Sequence, residues 1–388
     1  MSVGVEGFEG GRLEQARKAR GLTATALAEL VNLTQPNISL YEKNRRKPTQ
    51  PTLDNLARAL NVPVRFFLSP IRVSATDRLF YRSMSAATKA ARARAEAKYE
   101  WALQTLEYLT TFFDFPELNL PEIAVPSNHR SLESQDIESI AAQVRAYWGL
   151  DNKPIANVIQ TLEGNGVVVW RTPLEARTLD AFSEYREPHP IVVLSSDKEN
   201  FFRSRFDAAH ELGHLLLHRS VDTKSLRSST DFKLIEQQAH EFAGAFLLPA
   251  ESYSKDVWSP TIDTFRALKS TWNVSIALQI KRCADLGLVS ESQEKRLWIN
   301  RARRGWSKLE PLDQSTDVEH PTLIKTAIEM LLNEKVRSSA QLVADVELSA
   351  IDLEQLAELP QGLLTGAFSR VEPRLKSRQS NVLPFGRN

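Results

Sequence analysis

The 388 residues contain a single cysteine, Cys283, only seven histidines, and no apolar run near membrane length. One thiol cannot close an internal disulfide, and without a thiolate cluster neither a structural zinc site nor an iron–sulfur centre can be built. Any metal must then be held by histidine and carboxylate. The longest apolar stretches, residues 167–170 and 246–249, fall far short of the roughly 18 residues a membrane span needs, so no membrane partner is expected. Residues 1–11 hold two Glu, no Lys or Arg and no apolar segment. A secretory signal is therefore not expected, and the cytoplasm is the expected location.

Net charge is scarce as well, at +1, but its distribution is uneven. Residues 1–100 hold 17 Lys and Arg against 9 Asp and Glu, a balance of +8, which leaves −7 for the remainder. A basic head on an acidic body fits a chain whose head alone meets a polyanion; a solvated basic face would give the same balance. With 42% apolar and 25% charged residues the composition is that of an ordinary globular protein, and its length suggests two or three domains of about 150 residues each.

Breaks in composition divide the chain into residues 8–70, 71–130, 131–311 and 312–388. The first segment reads as short helices. Residues 83–115 are rich in Ala with interspersed Lys, Arg and Glu, which predicts a connecting helix, and Pro116, Pro121 and Pro126 then interrupt it. Further on, helices are expected at 132–148 and 155–163. β-branched runs at 167–170 and 191–194, with a third candidate at 181–185, predict a small sheet. Helices resume from Phe202, and the last segment is helical with a loose tail. The fold class expected is mainly α with one small sheet.

In the head, Leu13, Ala16, Leu27, Ala28, Val31, Ile38 and Tyr41 recur at helical spacing, broken at Gly21 and at Asn32-Leu33. Thr23 and Thr34 stand where an N-cap hydroxyl satisfies orphan amides. The helix opening at Thr34 would expose Gln35, Asn37 and Ser39, with Lys43, Arg45, Arg46 and Lys47 at its far end. Amides there can read base edges while cations grip phosphates. The stretch from Gly21 to Phe67, with Tyr41-Glu42-Lys43 closing the exposed helix and Pro48 after it, resembles the Xre/Cro-type repressor domain. That resemblance implies a five-helix helix-turn-helix domain and double-stranded DNA as a partner.

Four of the seven histidines lie between 210 and 240. His210 and His214 are one helical turn apart, so both imidazoles can meet one cation, and Glu211 lies beside them to deprotonate a water. A third ligand is needed. His218 is eight residues from His210, about 12 Å along a helix axis, too far for one ion, and reads as a packing or supporting residue. Glu236, on the next helix, is the choice.

The pattern His210-Glu211-Leu-Gly-His214, followed by Glu236-Gln-Gln-Ala-His240-Glu-Phe-Ala-Gly-Ala-Phe-Leu-Leu-Pro249, resembles the ImmA/IrrE metallopeptidases. Residues 180–183, 203–206 and 272–275 support the match. The resemblance implies an α+β core of minimal thermolysin-like, zincin type, with His210, His214 and Glu236 as ligands and Glu211 as general base. It departs from the family at His240, where Asn or Asp is usual; support of a ligand and a plain structural role are both open there. Zinc is the expected ion, with manganese as the alternative. The implied activity is cleavage of a partner repressor, controlling phage, mobile-element or stress genes, with a homodimer left open. The rival readings are a non-hydrolytic metal-binding regulator or antitoxin, and a protease whose head serves only as a protein-docking module.

Three further expectations follow. The strand at 191–194 would offer a sheet edge to an extended substrate. An oxyanion donor is expected, but the sequence does not name it; Tyr185, Arg203 and Arg205 are only neighbours in the motif region. Residues 339–357 have helix-turn-helix spacing, but Asp345, Glu347, Asp352 and Glu354 argue against DNA contact there.

Overall fold

The structure, a computed structural model, describes residues 4–71, 88–126, 128–176, 179–222, 225–226 and 228–366. It is mainly helical around one three-stranded sheet. The head comprises α1 (Gly10–Ala19), α2 (Ala24–Leu30), α3 (Gln35–Glu42) and α4 (Gln50–Leu60), closed by a 3₁₀ turn at Val64–Leu68. Its fifth element is thus a 3₁₀ turn and not a full helix. Leu13, Leu27, Ile38, Leu53, Leu56 and Phe66 are fully buried at its centre. Thr23 caps α2 by accepting from Ala26 N at 3.0 Å. Thr34 occupies the N-cap of α3 but makes no side-chain capping bond, contrary to the expectation. Asn32, at φ 54°, turns the chain between α2 and α3, a conformation asparagine tolerates.

The connecting helix α5 (Lys89–Leu109) is a packing element. One side joins the head: Arg12 Nη1 donates to Gln104 Oε1 at 2.7 Å, Gln15 Nε2 to Glu100 Oε2 at 2.7 Å, and Trp101 meets Phe66 edge-on at 6.1 Å. Another side joins the sheet, where Tyr99 packs on Phe182 at 5.7 Å and its hydroxyl donates to the buried Glu184. The expected start of this helix, residues 83–87, lies outside the described residues.

After α6 (Ser134–Tyr147) and α7 (Val158–Gly164) come strands β1 (Val168–Thr172), β2 (Ala181–Glu184) and β3 (Ile191–Ser195). The order is β1-β3-β2, with β1 parallel and β2 antiparallel to β3. The expectation for residues 191–194 is therefore overturned: β3 is the central strand, hydrogen-bonded on both sides, and the edge beside the helical layer is β2. Alternation divides the sheet between two cores. Val168, Trp170, Phe182 and Val193 join the core shared with α5 and the head; Val169, Ala181, Val192 and Leu194 join that of the following helices.

Those helices are α8 (Phe201–Leu217), α9 (Ser229–Leu247), α10 (Ala250–Asp256), α11 (Ile262–Trp272), α12 (Ile276–Asp285) and α13 (Glu291–Arg303). The last segment supplies α14 (Leu323–Asn333), α15 (Ser339–Val346) and α16 (Ala350–Leu356). Its acidic residues turn inward. Arg20 pairs with Asp352 at 2.5 Å, Ser69 donates to Glu347 at 2.6 Å and Tyr108 to Asp345 at 3.0 Å. These carboxylates dock the segment on the head and on α5. Among the described residues no helix is long and apolar enough to cross a membrane.

Candidate metal centre

Helix α8 begins where Asn200 accepts from Arg203 N at 2.9 Å, and it runs buried beneath β2 and β3. Helix α9 starts at the Ser228 cap. The two approach closely at Gly213, between the two motif histidines: a Cβ there would lie 3.0 Å from Phe242 Cδ1. The approach brings three donors together. His210 Nε2 lies 3.0 Å from His214 Nε2 and 3.5 Å from Glu236 Oε2, and His214 Nε2 lies 3.3 Å from Glu236 Oε1. A tetrahedral ion with arms of 2.0–2.1 Å sets its ligands about 3.3–3.4 Å apart, so these donors fit a single cation.

Electrostatics agree with that fit. Burial lowers His214 to about 4, helped by His210 beside it, so its imidazole is neutral at ordinary pH. Glu236 is opposed by its burial, yet the imidazoles of His210 and His214 pressed against it hold it well below the usual carboxylate range. For His210 burial acts downward, and contacts with Glu236 and Glu211 outweigh it and raise the group.

His214 is oriented by a buried chain of hydrogen bonds. Gln238 Nε2 donates to the carbonyls of His129 at 2.7 Å and Leu132 at 3.2 Å, which leaves its Oε1 as an acceptor 3.0 Å from His218 Nε2. His218 therefore carries its proton on Nε2. Burial keeps it neutral, well below its usual pKa, so its Nδ1 accepts from His214 Nδ1 at 3.0 Å. The lone pair of His214 is thereby directed through Nε2 at the donor cluster, the usual function of a group behind a metal-binding histidine. His218 sits behind His214 and not among the three donors. Spacing could place it on that face, but nothing in the sequence signalled Gln238.

Glu211 is 1% exposed and accepts from Ser183 Oγ at 2.6 Å. Burial pushes its carboxyl up to about 7, against the opposing pull of His210 and of the Ser183 hydroxyl. Ser183 belongs to β2, inside a stretch noted in the sequence without a role. His240 lies at the exposed mouth, its ring 4.5 Å from that of His210, and its Nδ1 is 2.6 Å from the Glu236 carbonyl. The arginines that neighbour the motifs are engaged elsewhere. Arg205 is buried on Glu319 and the carbonyls of Ile155 and Ala156, and Arg203 pairs with Asp180. Tyr185 is covered by Arg219, 3.9 Å from its ring centre.

In the head, Thr34, Gln35, Lys43, Arg45, Arg46 and Lys47 are exposed, and Asn37 and Ser39 are half-buried. Gln35 Nε2 donates to Ser39 Oγ at 2.9 Å, and Arg46 reaches Asn37 Oδ1 at 3.3 Å. Polar groups and cations share one open face.

Comparison with known proteins agrees with both regions. Residues 13–67 match the helix-turn-helix family, and residues 162–283 match the IrrE N-terminal-like domain. Over 58 residues the chain is 38% identical to the HTH-type transcriptional regulator SutR of Escherichia coli (strain K12). That match covers 15% of this chain and 33% of the regulator, so the chain spans about a third of the length of that relative. The polypeptide thus joins an Xre-type helix-turn-helix domain, at residues 13–67, to an IrrE-like metallopeptidase-type domain, at residues 162–283.

Proposed function

We infer that the chain is a DNA-binding regulatory metalloendopeptidase that cleaves a partner transcriptional repressor. The observation that carries this reading is the convergence of His210, His214 and Glu236 within 3.5 Å, with Glu211 beside them and held by Ser183. His210, His214 and Glu236 are the proposed ligands, and zinc is the proposed ion, because two imidazoles and a carboxylate suit it. When bound, such an ion polarises a scissile carbonyl and acidifies water. Glu211 is the proposed general base: it takes the proton of the attacking water and returns it to the departing amine. Ser183 fixes one carboxylate oxygen, which sets the direction of the other.

The β2 edge supports an extended substrate. A peptide added there would pass over α8, and beyond Tyr185 a groove of about 810 Å³ is lined by Leu118, Leu216 and Arg219. A flexible linker of a repressor meets this demand, whereas a compact domain does not. Thr34, Gln35, Asn37, Ser39, Lys43, Arg45, Arg46 and Lys47 are the proposed DNA contacts. The test is incubation of the zinc-loaded full-length chain with repressors encoded beside it, followed by mass spectrometry. One defined cut in an interdomain linker is expected; intact repressors with a fully loaded enzyme would overturn the reading.

A further inference from the structure

His240 is not among the three donors, yet it stands one helical turn beyond Glu236 on the same helix, and one potential donor atom each of His210, Glu236 and His240 lie within 4.8 Å of one another. Its ring meets that of His210 edge-on at 4.5 Å and that of Phe206 at 5.4 Å. Because a carbonyl only accepts, the 2.6 Å contact with the Glu236 carbonyl puts the proton of His240 on Nδ1. Its lone pair is then on Nε2. A ring that gives one N–H to a backbone carbonyl and keeps the other nitrogen bare has the form of a metal-ligating histidine. The side chain is also exposed at the mouth, so it can swing away at little packing cost.

We propose that His240 is a fourth protein ligand in the resting chain, closing the metal centre through Nε2 until an incoming substrate displaces it. The inference rests on the reading of His210, His214 and Glu236 as ligands. Its physical content is the difference between two kinds of site. Four protein ligands make a closed structural site, and three leave a position open for reaction. With three ligands on two packed helices and the fourth on an exposed ring, one rotation about the His240 side chain converts the first kind into the second. Nothing else in the donor set has to move.

The experiment is X-ray absorption on the full-length chain loaded with cobalt, counting imidazoles, together with metal affinity from competition with a chelator. The wild type should give three imidazoles. His240→Ala should give two and bind at least about tenfold more weakly, since even groups behind a ligand are worth 10–100-fold. His240→Phe keeps the ring contact with His210 but has no donor, and it should behave like His240→Ala. Two imidazoles in the wild type, or unchanged affinity in both variants, would overturn the proposal. If in that case His210→Ala and Glu236→Gln empty the site, the metal centre itself stands. Should those two variants also bind as the wild type does, the reading of the centre fails together with the proposal.

Discussion

Ser183 Oγ donates to Glu211 Oε2 at 2.6 Å, and the next residue of the same strand, Glu184, accepts on the opposite face from Tyr99 of α5. One strand thus links the proposed base to the helix that carries the DNA-binding head. Ser183→Ala removes a bond that favours the ionised carboxylate. The acid limb of the pH–rate profile should therefore move to higher pH, and kcat/KM should fall about tenfold, the worth of one charged hydrogen bond. Unchanged profiles would show that Ser183 only packs.

The raised pKa of Glu211 makes a stability prediction for the metal-free chain. Burial pushes the group up to about 7 from an ordinary 4.5, so the folded chain holds this proton more tightly than the unfolded chain does. The resulting stability is complete below the unfolded value and is lost as pH rises through the folded one. Glu211→Gln is neutral throughout and lacks this slope. Urea unfolding in the presence of a chelator, from pH 4.5 to 8, should show wild type losing on the order of 3 kcal/mol relative to the variant. Parallel curves would contradict it.

The hydrogen-bond chain behind His214 predicts a graded loss of metal. His218→Ala and Gln238→Leu should weaken binding about 10–100-fold while still allowing full occupancy at excess metal. His210→Ala should not be loaded under those conditions. Equal loss in all three, measured by elemental analysis after dialysis, would place His218 among the ligands.

For the head, binding to duplex DNA should fall steeply with salt. Replacing Arg45, Arg46 and Lys47 with Ala should reduce the slope of log affinity against log salt by about 2.7, at 0.9 per phosphate contact. Gln35→Ala and Asn37→Ala should blur sequence preference and spare most non-specific binding. Absence of binding at low salt across a genomic-fragment library would make the head a protein-docking module.

Much of the centre was legible because its residues lie on two helices, where spacing in sequence is spacing in space. His210, Glu211 and His214 fall within two turns, and Glu236 could be chosen by ruling out the distant His218. The head was legible for the same reason. What escaped depends on contacts between remote segments. Strand order is one case: three runs of similar composition do not say which is central, and β3 lies between β1 and β2. Ser183 and Gln238 are others, since each meets its partner only after the sheet and α9 pack on α8. The acidic character of α15, α16 and the turn between them was visible in the sequence, but the partners of Asp352, Glu347 and Asp345, namely Arg20, Ser69 and Tyr108, lie more than two hundred residues away.

The central claim is that Glu211 performs chemistry and does not hold the metal, and one variant separates the two. Wild type and Glu211→Gln should be expressed beside the genomic neighbours of the chain, with purified metal content and the termini of the resulting proteome measured together. The account predicts equal metal in both proteins and a new terminus in a repressor with wild type alone, the variant being slower by about 10² to 10⁴-fold. Equal metal with the same termini in both, or with none in either, would contradict it and leave a metal-binding regulator that does not hydrolyse.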